Sequence, residues 1–361
     1  MENQYIVEYP SNEQDLLEKI NALQDQWRQS LKSEQDQNDF CYDGFYPFYT
    51  QQKVKVLFIG QESYGMGGCN YIEAFHQVMQ RGYFNDGTST NKSSFHRRIF
   101  YIAYGILKDF PAWQDVPYPT GYKDKVFTKD GISFAFMNIS KISPDCYYRH
   151  TDWTDVMRSV REGASYIKKE VELLAPDILI TMSFIGNQEI RHALFDGCEP
   201  IDTSNPNVHV YRARNGKKTF LVLDTWHFSA LKKEFNCYYK PIRDIVKKYY
   251  YGEGGELNEL EELTPQQDKQ APNYYINPRH KFISEIAEKC AADGSTMYIK
   301  ELARLLNENN FRTGYNAEYA GGRGTYRLVQ SAYWCYERME EHEKARHIAD
   351  VFVNANGKNV W

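Results

Sequence analysis

Four short apolar runs, set apart by stretches of helical periodicity, decide the fold of this chain. Val54–Gly60 (VKVLFIG) is almost continuously apolar and ends in glycine. A strand without polar alternation hides both faces, as in a parallel sheet covered by helices on each side. Ile132–Asn138, Asp177–Met182 and Phe220–Asp224 have the same character. Helical segments near residues 94–108 and 154–174 lie between the runs, and Pro176 stops the second just before its strand. The expected fold is α/β, a mostly parallel sheet flanked by helices. A polar helix at 12–33, with Leu16, Leu17, Ile20, Leu23 and Trp27 on one face, precedes the first run.

At 361 residues the chain has room for about two domains. From Tyr251 to Tyr275 the pattern breaks into Gly, Glu, Pro, Gln and Asp. The expected division is a domain at 1–250, an acidic linker at 251–275 and a second domain at 276–361. The formal net charge of −5 belongs to the linker, where residues 251–271 hold one Lys against six Asp and Glu. Both flanks are near neutral, which allows DNA as a partner but limits what phosphate neutralisation can add. The seven cysteines form no CxxC pair and no cluster with His at zinc spacing. No metal and no cofactor is therefore expected, and the thiols read as reduced. There is no basic and apolar leader at the start, and no stretch approaches the roughly 18 apolar residues of a membrane span. The expectation is a soluble cytoplasmic protein with no membrane partner.

Ligands of open α/β sheets bind at the carboxyl ends of the strands. Three of the expected strand ends are polar: Gly60-Gln61-Glu62-Ser63-Tyr64, Met137-Asn138-Ile139-Ser140-Lys141, and Thr225-Trp226-His227-Phe228-Ser229-Ala230-Leu231. In a parallel sheet Glu62, Asn138 and His227 converge on one crevice. A carboxylate, a carboxamide and an imidazole facing each other make an acid–base site. Each alone serves equally well as a cap, a turn residue or a structural histidine.

Residues 40–250 resemble the uracil-DNA glycosylase superfamily. Gly60-Gln61-Glu62-Ser63-Tyr64 is similar to that family's first motif, GQDPY, and His227-Phe228-Ser229-Ala230-Leu231 to its last, HPSPL. The resemblance implies a monofunctional DNA glycosylase, a hydrolase that flips a base from duplex DNA and leaves an abasic site, in DNA repair or in antiviral defence against modified phage DNA. By the same resemblance Glu62, His227 and Gln61 are the catalytic residues. Asn138 reads the base, Phe75, eleven residues beyond Tyr64, stacks on it, and Tyr64 walls the pocket. Ser63, Ser229 and Leu231 contact the DNA, with Leu231 filling the vacated gap. Glu62 stands where the family has Asp, which moves the carboxylate outward by about 1.5 Å. Ser63, Phe228 and Ala230 replace three prolines, so both loops lose a source of stiffness. The target is then uracil or a bulkier modified pyrimidine. A catalytically silent nucleic-acid-binding or sensor protein on the same fold is the alternative.

Residues 276–361 resemble a helix-turn-helix DNA-binding module. Ile299, Leu302, Ala303 and Leu306 form one apolar face, and Val329, Ala332, Tyr333 and Tyr336 another on a helix from Thr325. The resemblance places Arg323, Arg327, Gln330 and Ser331 at or near the start of the recognition helix. Val351–Trp361 is expected to form a small wing turning at Asn356-Gly357.

Overall fold

The computed structural model describes residues 6–144, 151–251, 278–312, 318–338, 341–354 and 356–359. The chain divides into two compact units, Met1–Glu261 and Glu262–Trp361. The expected acidic linker lies, apart from Tyr251, outside the described residues.

The first unit runs α1 (Gln14–Ser30), α2 (Glu34–Asn38), β1 (Gly44–Phe45), β2 (Val56–Glu62), α3 (Tyr71–Arg81), α4 (Ser94–Leu107), α5 (Pro119–Tyr122), β3 (Ala135–Ser140), α6 (Trp153–Leu174), β4 (Ile178–Met182), α7 (Gln188–Leu194), β5 (Gly197–Asp202), β6 (Val208–Asn215), β7 (Lys218–Thr225) and α8 (Lys240–Tyr249). Its seven strands form one sheet in the order β1-β3-β2-β4-β7-β6-β5. The four apolar runs are the parallel centre, β3-β2-β4-β7. The three outer pairings, β1–β3, β6–β7 and β5–β6, are antiparallel. The expected mostly parallel sheet is thus corrected to a mixed one. The reason is the two-residue turn Gly216-Lys217 between β6 and β7, with Gly216 at φ 55°. A connection that short can only return the chain antiparallel.

Helices flank the sheet. On α6, Asp152 accepts a hydrogen bond from the Thr154 N–H at 2.9 Å as N-cap, and Ala175 in the left-handed region ends the helix. Its residues Val156, Val160, Ile167, Val171 and Leu174 are buried at helical spacing. Gly163 lets the Trp27 indole of α1 lie directly on the α6 backbone, where any Cβ would collide with it.

The second unit contains α9 (Pro278–Asp293), β8 (Met297–Tyr298), α10 (Ile299–Glu308), α11 (Arg323–Arg338), α12 (His342–Val351) and β9 (Phe352–Val353). Ile299, Leu302, Ala303 and Leu306 join Val329, Ala332, Tyr336 and Ile348 in a core of its own. Where a small wing was expected, Val353 bridges Asn359 across a turn with Gly357 at φ 71°, while Val351 belongs to α12. Helix α12, not anticipated from the sequence, separates α11 from that wing.

Candidate active site

Parallel pairing brings the carboxyl ends of β2, β3, β4 and β7 to the same side of the sheet. Glu62 ends β2 opposite Ser140, and Gly60 is level with Asn138. His227 follows β7, which lies two strands from β2 in the sheet order. Two strand spacings set the strands that carry Glu62 and His227 about 10 Å apart.

Glu62 is half-buried, and burial pushes its carboxyl above the usual carboxylate range. The nearby Thr151 hydroxyl pulls the other way, while Asp152 and Asp155 at the start of α6 add to the rise. Asn138 is 2% exposed. Its carboxamide oxygen lies so close to Gly60 that a Cβ there would overlap it. The Asn138 backbone N–H donates to Asp43 Oδ2 at 2.8 Å. Asp43 in turn belongs to a buried set with Lys141, Glu170 and Gln24. Lys141 pairs with Asp43, and with Glu170 at 2.8 Å. Gln24 Nε2 donates to Glu170 at 2.7 Å. Burial raises the Asp43 carboxyl well above its usual range, against the pull of the Lys141 ammonium.

His227 accepts the Ser229 N–H on Nδ1 at 3.2 Å, which leaves the ring proton on Nε2 as a donor. Burial, with Arg98 nearby, holds the imidazole below its usual pKa range, so it is neutral at pH 7. The Phe95 ring stands 5.7 Å from it, tilted by 39°. Ser229 is exposed and Leu231 is 100% exposed, at the tip of the same turn. Trp226 precedes His227, 36% exposed, with the Lys232 ammonium 4.0 Å from its ring centroid.

Three expected site residues are placed differently. Phe75 is 4% exposed, and its ring stacks on His96 at 4.5 Å and on Tyr71 at 6.0 Å. It belongs to the aromatic core because Tyr71, Phe75 and Met79 share the buried stripe of α3. Ser63 is 3% exposed and its hydroxyl is buried without a partner among the described residues, so its side chain faces inward rather than toward DNA. The Gln61 carboxamide accepts from Thr151 Oγ1 at 3.0 Å and lies 3.5 Å from the Met182 carbonyl, so its side chain ties strand ends together. Tyr64 is 43% exposed just beyond β2. Arg323 opens α11 and Arg327 lies one turn in.

The sequence reading missed the first turn of α4, Ser94-Phe95-His96-Arg97-Arg98. Phe95 reaches His227. His96 is held neutral between the Tyr71 hydroxyl at 3.2 Å and Ser93 Oγ at 2.8 Å, its pKa pushed down by burial to about 3. Arg97 donates to Glu234 Oε1 at 2.7 Å, and Arg98 is 4% exposed. Two adjacent arginines opening an apolar helix were the available signal.

No group of three or more His, Cys, Asp or Glu among the described residues is arranged to hold a metal ion. No described helix is long and apolar enough to cross a membrane. The sequence matches no protein-family model and no curated protein, so the chemistry of the site must carry any statement of function.

Proposed function

We propose that the first unit is a DNA glycosylase of uracil-DNA-glycosylase-like fold, acting on uracil or a modified pyrimidine. One observation carries the reading. At a single sheet end stand a carboxylate of raised pKa, a buried carboxamide, and a neutral imidazole offering Nε2–H. Those three groups match the needs of N-glycosidic bond hydrolysis. As the bond lengthens, the sugar gains oxocarbenium character and the base keeps the bonding electron pair. The Glu62 carboxylate stabilises the cation and orients the water whose oxygen joins the sugar carbon. His227 donates through Nε2 to the base carbonyl where negative charge collects. The Asn138 carboxamide has a donor and an acceptor side by side, as a pyrimidine edge requires.

Phe95, half-buried beside His227, offers the stacking face that Phe75 does not. Leu231 stands ready to enter the stack from which the base has left. The second unit, with α10 and α11 in helix-turn-helix order and a wing after α12, is read as a DNA-docking module. The test is base release. Duplexes carrying uracil or modified pyrimidines are incubated with the protein, and alkali-labile abasic sites are scored. Glu62→Gln should lower release by at least about 100-fold while the fold is kept, since it removes the charge opposite the cation. Release by that variant at the wild-type rate would remove Glu62 from the mechanism.

A further inference from the structure

In the turn from His227 to Lys232 the carbonyls of Phe228, Ala230 and Lys232 converge on one point, where they would repel each other without a cation. Arg98 meets them. Its Nη1 donates to the carbonyls of Phe228 and of Ala230, the latter at 2.8 Å, and its Nη2 donates to that of Lys232 at 2.7 Å. The guanidinium lies over the Tyr238 ring, 4.6 Å from its centroid. Among the described residues Nε has no hydrogen-bond partner, and it sits 3.8 Å from Glu234, which Arg97 also holds. Tyr238 donates its hydroxyl to the His227 carbonyl at 2.9 Å, and the Ala230 N–H donates to that same oxygen at 2.8 Å. The nearly buried planar fork thus spans three carbonyls of one turn, which the point charge of a lysine cannot do.

We propose that Arg98 is the positioning residue of this site: by capping the carbonyls of Phe228, Ala230 and Lys232 it fixes the turn that presents His227 and Leu231, so that imidazole and leucine are held as one rigid piece. The clamp stands on geometry alone, and its catalytic consequence rests on the glycosylase reading. It also explains how the turn stays ordered with Phe228 and Ala230 in positions where proline would have stiffened it.

The experiment compares wild type, Arg98→Lys and Arg98→Met by amide hydrogen exchange at residues 229–232, together with single-turnover base release and affinity for abasic-site DNA. Loss of charge-assisted bonds to the turn should speed exchange by about 10- to 100-fold in Arg98→Lys and more in Arg98→Met. Base release should fall by a similar factor in Arg98→Lys, with affinity changed by less than about 3-fold, because the charge stays and only the aim is lost. Tyr238→Phe, which removes one hydroxyl and keeps the ring, should loosen the same amides by less and serves if Arg98→Met does not fold. Exchange in Arg98→Lys equal to wild type overturns the clamp, whatever happens to activity. Exchange accelerated with release unchanged overturns the positioning role. Wild-type protein that releases no base sinks the glycosylase reading, while the exchange data still judge the clamp.

Discussion

Gly60 and Asn138 are a matched pair: one lacks a side chain so that the carboxamide of the other can lie across the strand. Gly60→Ala should therefore displace that carboxamide. A destabilisation of about 1–3 kcal/mol, typical of overpacking, is expected in thermal melts. The drop in base release should be far larger than that cost explains, and release equal to wild type would show that Asn138 does not read the base. Acid sensitivity also has a defined sign. In the proposed mechanism Glu62 acts ionised, and its pKa is raised, so it protonates at a pH where free glutamate is still charged. There His227 acts neutral, and its pKa is lowered, so it stays neutral below the usual imidazole range. In His227→Gln the residual activity should still fall with falling pH, at a point above the ordinary carboxylate range. A flat profile down to that range would mean Glu62 is not the group that titrates. Glu62, Asn138 and His227 stood out in the sequence as polar residues at or near the ends of apolar runs, although Asn138 lies inside β3, two residues before its end, and His227 two residues beyond β7. Phe75 and Ser63 were not legible, since counting residues along a chain does not say which face of a helix or turn a side chain takes.

At the level of elements, the central strands and the helices α1, α4 and α6 follow directly from hydrophobic period. The β5–β6 extension did not stand out. Strand β5 carries Gly197, Glu199, Pro200 and Asp202 and is largely exposed at the sheet edge, so its composition reads as a turn. Strand β6 alternates buried and half-buried positions, and Asn215-Gly216 at its end was a usable hairpin signal. Helix α12 was missed because the preceding residues up to Glu341 are strongly polar and hide where one helix stops. The turn after β7 yields its own prediction. Leu231, wholly exposed at its tip, contributes nothing to the core. Leu231→Ala should leave the melting temperature unchanged while slowing base release from duplex by about 10-fold, the scale set by a few kcal/mol of unstacking. Single-stranded substrate should be cut at the wild-type rate. Equal losses on both substrates would argue against a wedge.

Across the whole molecule, each unit has its own hydrophobic core, so each is expected to unfold as its own cooperative step. With the first 250 residues near neutral, tight DNA binding needs a second point of attachment, and joined weak sites gain affinity through local concentration. Arg323→Ala combined with Arg327→Ala, in the full chain, should weaken duplex binding and make it less salt-dependent, the slope falling by up to about two units of log Kd per log salt. Single-turnover release at saturating enzyme should be restored. An unaltered salt slope would assign the second unit to another partner.

Strand β7 is where the two kinds of sheet meet: parallel to β4 on one edge, antiparallel to β6 on the other. Those edges have different kinetic histories. The hairpin with β6 closes over two residues, which takes microseconds, whereas joining β4 closes a loop of some forty residues from a distant part of the chain. The meander should therefore assemble early and dock late. His227 hangs from the docking strand and Glu62 from the receiving half, so the two side chains come to the same sheet end only once that strand has docked.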